Sequence, residues 1–292
     1  MAGLISPDGR FVGVYKARDK ELVIGKKTLV MGIVNVTPDS FSDGGEFFDT
    51  DKAVSHALEL VSQGADVIDI GGESTRPGYE PVSAEEEIER VVPVIEKLSK
   101  EFDVVISCDT SKAPVARAAL EAGCHIINDV CALTDPDMAS TAAEFDAGVI
   151  LMYNRRIDKN VNNGMNTSYQ AIDFMKERIK LALDAGIKED HIMTDPGIGF
   201  GTTRLEDLAL TASIMQLGFT GKYPVLYGVS RKRIAKMFAS DMTGLDNVSI
   251  GLALAGVSSG CAMVRVHNVK DTVQALLGYD AQLYAFNGNC DG

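Results

Sequence analysis

The chain has 292 residues, 46% of them hydrophobic and 24% charged, the balance of an ordinary globular protein whose core needs no disulfide or metal. A formal net charge of −13 argues against nucleic acid and anionic lipid as partners, yet leaves room for a small anionic substrate met by local cations. MAGLISPDGR lacks a basic segment followed by an apolar one, and no run of about 18 apolar residues follows, so neither a signal peptide nor a membrane span is expected.

In chain order, residues 1–28 alternate in polarity and carry turn residues, which predicts a small β-hairpin. Residues 29–280 then repeat one unit. Short apolar runs rich in β-branched residues predict strands at Leu29–Asn35, Val67–Ile70, Val104–Asp109, His125–Asn128, Gly148–Met152, His191–Asp195, Pro224–Tyr227 and Ala262–Val266. Amphipathic segments between them predict helices over Asp51–Gln63, Ala84–Lys100, Pro114–Ala122, Met138–Phe145, Thr167–Asp184, Leu205–Leu217, Val248–Ser259 and Val269–Leu277. Gly64, Gly123, Gly186, Gly218 and Gly260 stand where helix C-terminal caps belong.

Eight strand-then-helix units predict a single (β/α)8 TIM barrel with the hairpin closing its bottom. An open doubly wound sheet is disfavoured by that count and by the lack of GxGxxG after the first run. Two long segments, Val36–Thr50 and Gly71–Ser83, follow the first and second strands and fall on the catalytic face of such a barrel. Residues 281–292 read as a C-terminal tail. Cys108, Cys124, Cys131, Cys261 and Cys290 form no CxxC pair, so small hydrophobic side chains in a reducing cytoplasm are expected, not disulfides or zinc ligands.

Polar residues at the C-terminal ends of barrel strands converge on one pocket. Here they are Asn35, Glu73, Asp109, Asn128, Asp195, the Ser230-Arg231-Lys232 triplet, Arg265 and His267. Asp109, Asn128 and Asp195 suit a flat heterocycle with a guanidine-like edge. Asn35, Arg265 and His267 come from strands one and eight, neighbours after closure, and form a donor-rich corner for a phosphate or pyrophosphate. Lys232 could bridge the two halves. Each residue taken alone has a plainer role: a strand-end Asp or Asn often only caps the next helix.

MGIVNVTPDSFSDGG (Met31–Gly45) and VIDIGGESTRPG (Val67–Gly78) closely resemble the two signature segments of dihydropteroate synthases. DTSKAPVARAALEAGCHIINDV (Asp109–Val130), DPGIGFG (Asp195–Gly201), SRK (Ser230–Lys232) and RVH (Arg265–His267) extend the resemblance over most of residues 29–279. It implies condensation of 4-aminobenzoate with 6-hydroxymethyl-7,8-dihydropterin pyrophosphate, giving dihydropteroate and pyrophosphate with Mg2+ as cofactor. It implies pterin contacts at Asp109, Asn128, Asp195 and Lys232, and an anion site at Asn35, Arg265 and His267 with Asn35 beside the metal. It places Asp39 and Ser40 in a first mobile loop and Thr75, Arg76 and Pro77 in a second that covers the aminobenzoate. Asp39, Asp109, Lys232, Arg265 and His267 are the implied catalytic set. A cytoplasmic homodimer is implied as well.

The sequence departs from that pattern in four places. Met152-Tyr153-Asn154-Arg155-Arg156 follows the fifth strand where the family has His-Met and a Gly-Pro stretch, and Thr202 replaces a lysine after GFG. Arg233 replaces a serine after SRK, at the end where 4-aminobenzoate binds, and Asn268 replaces an aspartate after RVH. Two alternatives follow: a divergent pterin- or folate-binding paralogue without synthase activity, and a methyltetrahydrofolate-dependent methyltransferase sharing the barrel.

Overall fold

The computed structural model describes residues 4–5, 10–37, 50–74, 81–162 and 165–286. Near the N-terminus, β1 (Leu4–Ile5) pairs antiparallel with β2 (Phe11–Ala17), which pairs antiparallel with β3 (Lys20–Ile24). The expected hairpin is therefore present, with its turn at Arg18 in a left-handed conformation (φ 58°). The Arg18 guanidinium donates to the carbonyls of Leu120 and Cys124 at 2.8 and 2.7 Å, which ties the turn to the main body.

The eight apolar runs form one parallel sheet. Its strands are β4 (Leu29–Asn35), β5 (Val67–Gly71), β6 (Val105–Asp109), β7 (Ile126–Asp129), β8 (Gly148–Met152), β9 (Ile192–Asp195), β10 (Leu226–Tyr227) and β11 (Met263–Val266). They pair in the order β10-β11-β4-β5-β6-β7-β8-β9. A parallel bridge between Thr194 and Val225, with the Thr194 amide donating to Pro224 O at 3.0 Å, joins the two ends and closes the barrel.

The period of two along each strand divides the apolar residues into two layers. Outward-facing Val30, Ile68, Ile106, Ile127, Val149, Ile192, Tyr227 and Val264 pack against the helices. These are α1 (Thr50–Ser62), α2 (Ala84–Glu101), α3 (Ala113–Glu121), α4 (Met138–Glu144), α5 (Thr167–Asp184), α6 (Arg204–Ala212), α7 (Ile214–Leu217), α8 (Met242–Ser258) and α9 (Val269–Phe286). Inward-facing Met31, Val67, Ile126, Ile150, Met193, Leu226 and Met263 form a separate apolar floor. Phe11, Tyr15, Leu22 and Ile24 of the hairpin pack on that floor and seal it. Each of these strands is thus buried on both faces, as continuous apolar runs require.

Several expectations about helices need correction, among them the helix expected from Val248, which begins at Met242. The segment expected as one helix over Leu205–Leu217 is broken at Ser213, whose hydroxyl hydrogen-bonds Ala209 O at 2.9 Å and the Ser168 hydroxyl at 2.8 Å. Gly218 is not a left-handed cap (φ −82°): Phe219, Thr220 and Gly221 take that conformation one residue later. Gly64, Gly123, Gly186 and Gly260 do have the positive φ of C-terminal caps. The last helix extends past Leu277 to Phe286. Cys108, Cys124, Cys131 and Cys261 are free thiols, and three of them are buried. Among the described residues, no helix is long and apolar enough to cross a membrane.

Candidate active site

Above the apolar floor, the same period of two turns polar side chains into the barrel. Val67 on the floor is followed inward by Asp69, Val105 by Ser107 and Asp109, Ile126 by Asn128, Met193 by Asp195, and Met263 by Arg265. Register sets their levels: Asp69 pairs with Ser107, and Asp109 with both Gly71 and Asn128. Asn35, half-buried, ends β4 at the same end of the barrel.

Arg265 is the hub. Its Nε donates to Asp69 Oδ2 at 2.6 Å and its second guanidinium nitrogen to Asp109 Oδ2 at 2.8 Å. Asn128 Nδ2 donates to the same Asp69 Oδ2 at 3.1 Å. Burial alone pulls the Arg265 pKa down, but Asp69 and Asp109 outweigh it and the guanidinium is held above its ordinary value. Burial pushes the Asp109 carboxyl up to about 7 against the pull of Arg265, with Asp69 adding to the rise. Burial raises Asp195 too, opposed by Lys232, while the Asp195 carboxylate accepts from the Gly197 amide at 2.7 Å. Lys232 is lowered to about 8 by burial, with Asp195 opposing, and its ammonium lies 4.9 Å from the Phe200 ring centroid. Three carboxylates thus face two cations in a region of low polarity, a setting that favours a cationic or donor-rich heterocycle.

His267 is held by Ser230. The Ser230 hydroxyl accepts from the His267 amide at 3.2 Å and lies 3.0 Å from Nδ1. That contact fixes the orientation of the imidazole ring and leaves Nε2 as the ring nitrogen turned away from Ser230.

Adjacent residues in the β10–α8 loop have separate fates. Arg231, left-handed at φ 56°, turns away and forms a two-point pair with Asp246 at 2.7 and 2.9 Å. Lys232 faces the carboxylates. Arg233 is half exposed; it donates to Thr202 O and lies 3.7 Å from Asp207 Oδ2. Thr202 is buried and donates at 2.5 Å to Asp207, which also accepts from the Gly199 amide at 2.9 Å. Thr202 therefore braces the β9–α6 loop.

The other departures are structural. Tyr153 is buried in the outer layer, edge-on to Phe174 at 5.4 Å, and does not enter the site. Asn268 accepts from the Asp271 amide at 3.2 Å, a cap for the last helix. Gly197 sits at φ 69°, where an added Cβ would meet Tyr153 O at 1.6 Å. Gly197→Ala is expected to cost about 1–3 kcal/mol from backbone strain alone, and more from the clash; thermal unfolding measures it.

Asp39, Ser40, Thr75, Arg76 and Pro77 lie outside the described residues. Glu73 does not join the cluster; Lys112 bridges it to buried Glu87, with 2.5 Å to each carboxylate. Asp69 is not among the site residues expected from the sequence, because it sits inside the apolar run VIDI. Counting by twos from Val67 places it on the inner face.

The family described as pterin binding enzyme matches residues 31–267. The dihydropteroate synthase of Bacillus subtilis is 44% identical over 92% of this chain and 94% of that protein. A solved dihydropteroate synthase of Xanthomonas albilineans with 4-aminobenzoic acid is 39% identical, with TM-score 0.86 over 92% of this chain and 98% of that one. The Clostridium difficile dihydropteroate synthase, solved in the presence of pteroic acid, is 41% identical, with TM-score 0.83 over 89% and 98% of the two chains. Similarity of this extent, on a barrel whose polar end is built as described, places the chain in the pterin-binding enzyme family, among its dihydropteroate synthases.

Proposed function

We propose that the chain joins 4-aminobenzoate to 6-hydroxymethyl-7,8-dihydropterin pyrophosphate, and that its polar barrel end does the chemistry. The observation that carries this reading is the Arg265 guanidinium set between two buried carboxylates, beside the Ser230–His267 pair. Asp109, Asn128 and Asp195 bind the donor-rich edge of the pterin, and Lys232 lies against it. Arg265 and His267 hold the pyrophosphate. As the leaving group departs, positive charge develops on the pterin methylene, and the carboxylates of Asp109 and Asp195 stabilise it in a site of low dielectric. The amine of 4-aminobenzoate then attacks that carbon. Asp39 belongs to the first loop and Thr75, Arg76 and Pro77 to the second; their part is to cover the reactants and exclude water.

Magnesium bound with substrate phosphates needs one or two protein oxygens and keeps several waters. The Asn35 amide oxygen fits that demand, and among the described residues no group of three or more His, Cys, Asp or Glu offers an all-protein cage. Asn35 would hold the ion, which supplies charge neutralisation for the pyrophosphate. A homodimer in the cytoplasm completes the reading, in keeping with the free thiols.

The test is pyrophosphate release by the purified protein with both substrates and magnesium. A folded protein that binds pterin yet releases none is the non-synthase paralogue; methyl transfer from methyltetrahydrofolate would make it the methyltransferase. Arg233 is assigned to the carboxylate of 4-aminobenzoate. It is half exposed, so the pair is worth about 0.2–1 kcal/mol. Arg233→Ala is expected to raise the KM for 4-aminobenzoate up to about fivefold with kcat unchanged. An unchanged KM would leave Arg233 only its bond to Thr202.

A further inference from the structure

Asp69 carries no role in the chemistry just described, yet its side chain is fully out of solvent. Its Oδ2 accepts twice, from Arg265 Nε and Asn128 Nδ2. Its Oδ1 has no hydrogen-bond partner among the described residues. A carboxylate kept only for stability would be better replaced by an apolar side chain, since burying a charge with one oxygen unmatched is costly. What Asp69 does is geometric. Because a carboxylate only accepts, Asn128 must turn its NH2 toward it, and the amide oxygen is left facing the other way. Because Nε is held, the guanidinium plane is fixed and its outer nitrogen reaches Asp109.

We propose that Asp69 is a positioning residue for pterin recognition: through one oxygen it fixes the Asn128 amide with its acceptor toward the ligand and locks the Arg265 plane between ligand and leaving group. The inference rests on the pterin-site reading. A leucine at this position keeps the branched shape but supplies no acceptor, so neither Arg265 Nε nor Asn128 Nδ2 is held and the Asn128 amide is free to turn over and show a donor where an acceptor belongs.

The test is Asp69→Leu, with 6-hydroxymethylpterin as the probe in calorimetry and steady-state kinetics alongside. Pterin affinity is expected to fall at least about 20-fold, the loss of two charge-assisted hydrogen bonds, with the KM for 4-aminobenzoate changed less than about twofold because that ring lies outside the reach of Asp69. Asp109 is faced by Asp69 and Glu87, which favour its proton, and by Arg265 and Lys232, which oppose it. Removing the Asp69 charge is therefore expected to move the acid limb of activity to lower pH, while the split between lost pterin affinity and an unchanged KM for 4-aminobenzoate is what a merely structural role would not produce. A folded variant that binds the probe within about threefold of wild type, with its acid limb in place, overturns the proposal. Should the variant not fold, arginine-labelled wild type decides by NMR: the Arg265 Nε–H, identified by its loss in Arg265→Lys, is expected to stay protected from exchange as Asp109 titrates. Exchange at the rate of a free arginine overturns the proposal. Wild type that fails to bind the probe at all defeats the functional reading instead.

Discussion

Arg265→Ala is expected to abolish measurable turnover and to lower folding stability by about 3–5 kcal/mol, the cost of removing one partner from a buried ion pair. Asp69 is fully enclosed and Asp109 nearly so, at 0% and 11% side-chain exposure, and both lose their direct cation. The activity loss has a separate origin. A preorganised donor aimed at developing charge is worth about 100- to 1000-fold in rate, and Arg265 is the guanidinium assigned to the departing pyrophosphate. Arg265→Lys separates the two effects. A single ammonium keeps the charge but cannot hold Nε and a second nitrogen on different carboxylates, so stability should return in part while turnover stays low. Denaturant unfolding and pyrophosphate release measure the two. A stable Arg265→Ala protein, within about 1 kcal/mol of wild type, would mean that the carboxylates are satisfied without it.

The parts of this architecture legible in the sequence are those set by a local period. The strands buried on both faces had to be continuous apolar runs, and their C-terminal residues had to converge once the sheet closed. That is why Asp109, Asn128, Asp195 and Arg265 could be expected at one end of the barrel from the chain alone. Asp69 shows the limit: a single charge inside VIDI is outweighed by three apolar neighbours in any window, and only the strand's inward phase reveals it. Arg231, Lys232 and Arg233 show another. Three consecutive cations go to Asp246, to the carboxylate cluster and to Thr202 because Arg231 adopts φ 56°, a conformation nothing in its side chain demands. Ser213 broke a helix through side-chain bonds to its own backbone and to a neighbouring helix, a competition that propensity underestimates. At Gly218 the absent side chain serves packing instead of a cap, since a Cβ there would sit 2.7 Å from Tyr223 O.

Pterin affinity is expected to fall about tenfold for each pH unit below about 7 and to level off above it. The Asp109 carboxyl is pushed up to about 7 by burial, with Arg265 opposing. Its neutral form lacks the charge that the guanidine-like edge of a pterin pairs with. Below that pH, binding must first remove a proton. The stability of the empty protein should move the other way. A carboxyl whose folded pKa lies above its unfolded value near 4 favours the folded state while protonated. That contribution is complete below the unfolded value and is lost as pH rises through the folded one. The pH window is therefore about 4 to 7, across which the empty site becomes less stable and more competent together. Asp109→Asn uncouples the two. With no carboxyl to titrate, pterin affinity should become flat over this range and fall about 30- to 150-fold at pH 8, the worth of one charge-assisted pair. The empty variant should no longer lose stability from this site as pH rises. Calorimetric titration with 6-hydroxymethylpterin and thermal unfolding at matched pH measure both curves. A wild-type affinity that does not change between about pH 5.5 and 8 would remove Asp109 from the recognition of the ligand.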